Sequence, residues 1–309
     1  MQSRIRASEW RDHRLEGTVE LDKKRCEAAK QRATRFGWQM GPIDGTPVKL
    51  NRSSPAQRRS SVSFIDLFSD SADRYASARP RYPDALIDFI ARSSPSLDVA
   101  WDCGTGNGQA AVDLARHFKS VWATDPSQAQ IDHAISCSGV IYSVQPAEQV
   151  CFADESVDAI TVAQALHWFD LGRFFTEARR VLKPGGFFCA WGYSWSHIEP
   201  SIDAVMQAKI LEPIRTYWAA QNASLWDEYR NVQLPFKAVD VPSFSIRMEW
   251  TLLEYMAYVH TWSATRRAIQ AEGPGFFEAA CSRMEHAWGG PERVREVRMP
   301  LTVIAGVSA

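Results

Sequence analysis

Between residues 97 and 193 the apolar positions fall in short runs rather than long stripes. Leu97, Val99, Ala100 and Trp101 form one run that stops at Asp102. Val121 to Thr124 is a second, closed by Asp125, and Gly139 to Val144 is a third. Val157 to Ala163 is a fourth, almost wholly apolar, and Phe187 to Tyr193 is a fifth. Runs of this length between turn residues predict strands, and an unbroken apolar one predicts a central strand covered on both faces. The stretches between them carry helical spacing. Pro83 opens a helix that runs to about Arg92, with Asp84 in its first turn and Leu86, Ile87, Phe89 and Ile90 around its core side. Gln109 to Phe118, a helix capped by Ser127 and running to Ile135, and Asp170 to Leu182 follow. Lys183-Pro184-Gly185-Gly186 stops the last of these. Strand and helix alternating at this spacing predict an α/β fold, a doubly wound Rossmann-like sheet.

After Trp195 the alternation breaks. Residues 199–234 read mostly as helix, Phe244 to Trp250 alternates like a strand, 251–288 returns to helix, and Arg295 to Val307 closes as a strand. The pattern predicts a helical lid, about residues 196–290, inserted near the C-terminal strands. Seven of the twelve tryptophans fall in or beside it: 191, 195, 218, 226, 250, 262 and 288. Such density is core in most proteins, and over a ligand site it makes an apolar pocket; both readings stay open.

Residues 1–62 read as a basic extension of low order, with one amphipathic helical pattern over Val19 to Phe36 and a linker around NRSSPAQRRSS. The first 60 residues carry a surplus of seven basic side chains, while the whole chain has a net charge of −1. The body is therefore acidic and offers no nucleic-acid footprint. No apolar run reaches the roughly 18 residues of a membrane span, and no secretory h-region is present near the first residues. Six cysteines are scattered without a C-x-x-C pair, which points to reduced thiols and no metal site. These features predict a cytoplasmic protein, monomer or homodimer, with no nucleic-acid or membrane partner.

The chemistry concentrates in LDVAWDCGTGNGQAA, residues 97–111. Gly104, Gly106 and Gly108 permit positive φ and let a ligand approach the backbone, and the helix beyond offers unpaired N–H groups. Two ligand classes fit. Gly106, Gly108 and Ala111 satisfy G-x-G-x-x-G/A, with Asp125 in range as a ribose acid, which is a dinucleotide pattern. Asp102, Gly104, Gly106 and Gly108 also match D/E-x-G-x-G-x-G, the turn that cradles S-adenosylmethionine (SAM).

Further pieces join that turn. They are Asp73-Arg74-Tyr75 with Arg79-Pro80-Arg81-Tyr82-Pro83, then Ala123-Thr124-Asp125, Gln164-Ala165-Leu166-His167-Trp168-Phe169, Arg180 to Gly186, and Tyr258 to Ser263. With them the chain from 64 to 307 resembles the class I SAM-dependent methyltransferases, in the branch of small-molecule enzymes similar to trans-aconitate methyltransferases. The resemblance implies a seven-stranded methyltransferase sheet within residues 63–309, SAM as cofactor and a small-molecule methyl acceptor. It implies that Gly104, Thr105, Gly106 and Gly108 lie under the ribose and methionine part. Asp102 fixes the turn or meets the amino group through water. Asp125 takes the ribose hydroxyls, Ala147 presents backbone to the adenine, and the main chain at Gln164 binds the ammonium. Tyr75 and Arg79 close over the carboxylate end. One position departs: Pro146 stands where the family has an acid, so the adenine amino group must turn to Glu148 or lose a bond worth roughly 1.5–3 kcal/mol.

Methyl transfer is an in-line displacement whose main lever is orientation. A carboxylate acceptor needs no base, whereas a phenol or thiol gains from one. His167 is the first candidate base, with His260 and Tyr75 behind it. Trp168, Trp191, Trp195, Trp262 and Arg266 are candidates to line the acceptor site. The expected acceptor atom is oxygen, in a carboxylate or hydroxyl. Two alternatives are a non-catalytic SAM-binding protein that docks a partner and an NAD(P)-dependent oxidoreductase.

Overall fold

The computed structural model describes residues 80–309. Residues 80–149 and 155–309 belong to one compact unit, and residues 150–154 group with another.

The first helix among the described residues, α1 (Asp84–Ser93), starts behind Pro83 and buries Leu86, Ile87, Ile90 and Ala91. Five parallel strands follow: β1 (Val99–Cys103), β2 (Ser120–Asp125), β3 (Val140–Val144), β4 (Val157–Ala163) and β5 (Leu182–Gly192). Six of the seven residues of β4 are buried, which is why its sequence shows no polar alternation. Between the strands lie α2 (Gln109–Leu114), α3 (Gln128–Asp132) and α4 (Leu171–Val181). Ser127 and Asp170 cap α3 and α4, each accepting a backbone N–H of the first turn. Two helices end earlier than their periodicity predicts, α2 at Leu114 and α3 at Asp132. In α3 the chain is drawn off by Ile135, whose N–H goes to the Asn107 carbonyl and whose carbonyl accepts from the Tyr142 hydroxyl.

Two short strands complete the sheet, β6 (Lys237–Ala238) and β9 (Thr302–Val307), and its order is β3-β2-β1-β4-β5-β9-β6. The last two pairings, β5 with β9 and β9 with β6, are antiparallel. The chain steps outward through β1, β2 and β3, then returns to the other side of β1 as β4. That reversal places the switch point between β1 and β4, and ligands of open α/β sheets bind outside the strand ends there. The seven-stranded α/β sheet expected from the sequence is present.

The C-terminal region departs from the expected pattern, or adds to it, in three places. First, Arg295 to Val307 is two strands, β8 (Arg295–Pro300) and β9, that serve different sheets. Leu301 alone separates them, and its N–H is given to the Phe244 carbonyl. Second, the alternating run before Trp250 is β7 (Ser245–Trp250), which pairs with β8 in a separate antiparallel ribbon. The edge strand of the main sheet is instead β6, too short and too exposed to leave a pattern. Third, residues 199–234 are broken helix. α5 (Pro200–Met206) passes into a wider turn over Gln207–Leu211, then Glu212–Ile214 and a tight turn Arg215–Tyr217, before α6 (Asn222–Trp226). Pro213 lacks the N–H that would continue the ladder. Three helices follow β7: α7 (Leu252–His260), α8 (Ser263–Glu272) and α9 (Gly275–Trp288). A capping box between Thr251 and Glu254 starts α7, and Gly273 and Gly289 end α8 and α9. Among the described residues no helix is long and apolar enough to cross a membrane.

Candidate active site

The turn after β1 is held by its own backbone. Gly104, Gly106 and Gly108 stand at φ 69°, 57° and 92°, in the left-handed region. At Gly104 a Cβ would lie 2.6 Å from the Ala165 Cβ, so the turn rests directly on the segment after β4. At Gly106 the nearest atom would be the Gln130 side-chain oxygen at 3.7 Å, which leaves that face open to a ligand.

Two acids brace this turn in different ways. Asp102 is fully buried, and its oxygens accept from the hydroxyls of Thr105 (2.6 Å) and Thr161 (2.8 Å). Burial pushes its pKa up to about 6 against these two stabilising bonds. Asp125 ends β2, half-buried, and accepts the N–H of Gly106 at one oxygen and of Ser127 at the other, both at 2.9 Å. A carboxylate has about four lone-pair sites, so each oxygen of Asp125 keeps one for a further donor. Beyond β3, Pro146 is exposed and Ala147 buried. Glu148 spends one carboxylate oxygen on the Asp170 N–H at 3.0 Å, tying the loop to the start of α4.

Opposite the glycine turn, Gln164 follows β4 with φ 54°, a left-handed conformation that costs a non-glycine residue about 1–3 kcal/mol. Its N–H is held by the Trp191 carbonyl (2.8 Å) and its amide by the Tyr193 carbonyl (2.9 Å). The Gln164 carbonyl takes part in neither bond. The turn Leu166–Trp168 follows, with Trp168 52% exposed. His167 is half-buried, and its Nδ1 lies 3.2 Å from the hydroxyl of Tyr229. Desolvation lowers the His167 pKa to about 4, so the ring is neutral at pH 7. Tyr229 is 2% exposed, and Nδ1 is the partner of its hydroxyl. Leaving that buried O–H proton without an acceptor would cost about 1–3 kcal/mol. Donation by the hydroxyl to Nδ1 would place the ring proton on Nε2.

The inserted helices meet the sheet here. Leu225 of α6 sits on Gly192 so closely that a Cβ there would lie 2.6 Å from it. Trp195 stacks on Trp226 with centroids 5.6 Å apart, and lies 6.0 Å from Trp218 and 6.4 Å from Trp262. The indole N–H of Trp218 is buried and has no hydrogen-bond partner among the described residues. Trp191 lies below, fully buried, edge-on to Tyr82 at 5.3 Å, and its N–H is likewise unpaired.

The geometry thus gathers Asp102, Gly104, Thr105, Gly106 and Gly108 at one turn, with Asp125 bonded to it from the end of β2 and Gln164 just past the end of β4. It does not gather every candidate. The ring of His260 lies 5.5 Å from Phe277, against α9, where burial lowers its pKa. Arg266 is exposed on α8. Tyr75 and Arg79 lie outside the described residues. Tyr229 and Thr161 were missed. Thr161 is one more residue of an apolar strand in the sequence, and Tyr229 sits in a helix-like run, so neither leaves a local signal.

A glycine turn and an acid at the switch point of such a sheet define a nucleotide-cofactor-binding α/β protein. The methyltransferase domain family matches residues 101–190. A methyltransferase of Dictyostelium discoideum is 34% identical over 212 residues, 67% of this chain and 81% of that one. An uncharacterized methyltransferase of Mycobacterium tuberculosis is 33% identical over 120 residues, 38% of this chain and 49% of its own. Among solved structures, a type II methyltransferase from Anaeromyxobacter dehalogenans covers 74% of this chain and 97% of its own, with TM-score 0.70 and 36% identity. The chain belongs to the class I SAM-dependent methyltransferases. Its cofactor is SAM, and the dinucleotide and non-catalytic alternatives fall away.

Proposed function

We propose that this enzyme methylates an oxygen, in a carboxylate or hydroxyl, of a small molecule with an apolar body. The observation that carries the reading is the tryptophan cluster beside the Gln164–Trp168 segment, with one buried indole N–H unpaired. Ring faces suit an apolar body, and an unpaired N–H suits an acceptor-only oxygen. SAM supplies a methyl group already activated on sulfur. The residues present fit it: the open face at Gly106 accommodates a ligand against the backbone, and Asp125 keeps lone pairs for two ribose hydroxyls. Asp102, with no exposed surface, acts as the internal anchor of the turn. Ala147 and Glu148 flank the adenine side, where Pro146 offers no acceptor side chain. The carbonyl of Gln164 receives the ammonium. Trp168, Trp195 and Trp262 contact the acceptor, Trp191 underlies it, and residues 196–290 act as the lid. Tyr75 and Arg79 hold carboxylates, of cofactor or acceptor. The trans-aconitate-like branch, a cytoplasmic setting and a monomer or homodimer complete the reading.

Calorimetry with S-adenosylhomocysteine (SAH), beside NAD and the Asp125→Ala variant, tests the cofactor site. Saturable SAH binding that the variant loses supports it. A panel of small carboxylic acids, phenols and thiols, read by SAH release from SAM, then tests the acceptor. Turnover confined to thiols would overturn the oxygen assignment.

A further inference from the structure

Resting on that oxygen-acceptor reading, we propose that Tyr229 fixes His167 as an Nε2–H donor that orients an acceptor oxygen already ionised, so that the acceptor is a carboxylate and His167 is not a base. Four observations lead there. His167 lies in the turn after β4, between Ala165 and Phe169, the two residues against which Gly104 packs. Its Nδ1 is occupied by the Tyr229 hydroxyl, and that buried hydroxyl has no other acceptor among the described residues. An imidazole that accepts at Nδ1 carries its proton at Nε2, where it can give a hydrogen bond but cannot take a proton. Finally, Glu228 and Tyr229 stand at φ 55° and 56°, two successive left-handed residues without glycine. Such a conformation persists where the surroundings over-determine it, and it clusters at sites whose geometry matters.

A protonated alcohol or phenol would need its proton removed during transfer, and an Nε2–H donor cannot remove it. A carboxylate needs only to be held, with one oxygen on the donor and a lone pair of the other free for the methyl carbon. The C–S bond of the sulfonium breaks as the O–C bond forms, the sulfur keeps the electron pair, and no proton moves. Tyr229 is then a positioning residue that acts through His167.

The test uses the full chain. In protein labelled with ¹⁵N-histidine and saturated with SAH, the His167 resonances should report the Nε2–H tautomer. Tyr229→Phe should shift them toward a tautomer mixture, a change that loss of packing alone does not produce. Benzoate and octanoate, against phenol and octanol, are then titrated into SAH-loaded protein by tryptophan fluorescence. The carboxylates should bind more tightly. His167→Gln, whose amide N–H replaces Nε2–H, should stay within about threefold of wild type, and His167→Ala should weaken binding about tenfold. An Nδ1–H tautomer, equal losses in the Gln and Ala variants, or failure of both carboxylates to bind overturns the proposal. Each of these is read against SAH binding, which the His167 variants should leave unchanged. Wild-type protein that does not bind SAH would sink the cofactor-site reading instead.

Discussion

At Gly106 and Gly104 one added methyl group separates two kinds of cost. Both stand at positive φ, but only Gly104 packs against a neighbour. Gly106→Ala should cost about 1–2 kcal/mol of stability through backbone strain alone, and should weaken SAH binding at least tenfold if the cofactor covers that face. Gly104→Ala adds a 2.6 Å clash with Ala165 and should cost about 3 kcal/mol. Calorimetric titration and urea unfolding check both, and SAH affinity unchanged in Gly106→Ala would refute cofactor contact there. Two desolvated groups also set opposing pH trends. Asp102, raised to about 6, takes up a proton in the folded state before the unfolded chain does. Its contribution to stability therefore grows as pH falls from about 6 toward 4. His167, lowered to about 4, stays neutral while the unfolded chain is protonated below about 6.5, so its contribution shrinks over the same range. Asp102→Asn should make stability fall more steeply between pH 6.5 and 4 than in wild type, and His167→Gln should make it fall less or rise. Urea midpoints measured across that range would show it. At this scale the glycines and both acids were legible, because each residue type is required where it stands. The Tyr229–His167 bond was not, since its partners are 62 positions apart.

Among the elements, the start of β1 is fastened by a side chain from β4. Asp158 is 1% exposed, accepts the N–H groups of Asp98 and Val99, and pairs with Lys183 of β5 at 2.7 Å. Asp158→Ala strands two backbone donors and an ammonium and should cost about 3–5 kcal/mol. Lys183→Ala leaves the acid its two backbone donors and should cost under about 1 kcal/mol. A similar loss in both variants, read from denaturant midpoints, would refute this division. The five parallel strands were readable because burial on both faces demands apolar runs. The closing pair was not. β8 and β9 form one continuous stretch, and only their partners, β7 for one and β5 and β6 for the other, divide it.

For the whole molecule, the inserted helices reach the cofactor side of the sheet at Leu225 on Gly192 and at Tyr229 on His167. That arrangement predicts stepwise ordering. Hydrogen exchange should slow first around residues 102–108 and 164–169 when SAH is added, and then around 218–229 and 262 when an acceptor joins it. Protection of both regions by SAH alone would argue against a separate acceptor-side lid.

The sequence by itself determined the strand and helix alternation, the glycine turn and the two acids that brace it. Each follows from local requirements: burial period, positive φ, and a short polar side chain at a strand end. Tertiary structure alone decided which late strand joins which sheet, which tryptophans meet, and that the Tyr229 hydroxyl reaches His167. Those depend on surfaces brought together across tens to more than a hundred residues, and no local pattern encodes a contact whose two halves are each unremarkable by themselves.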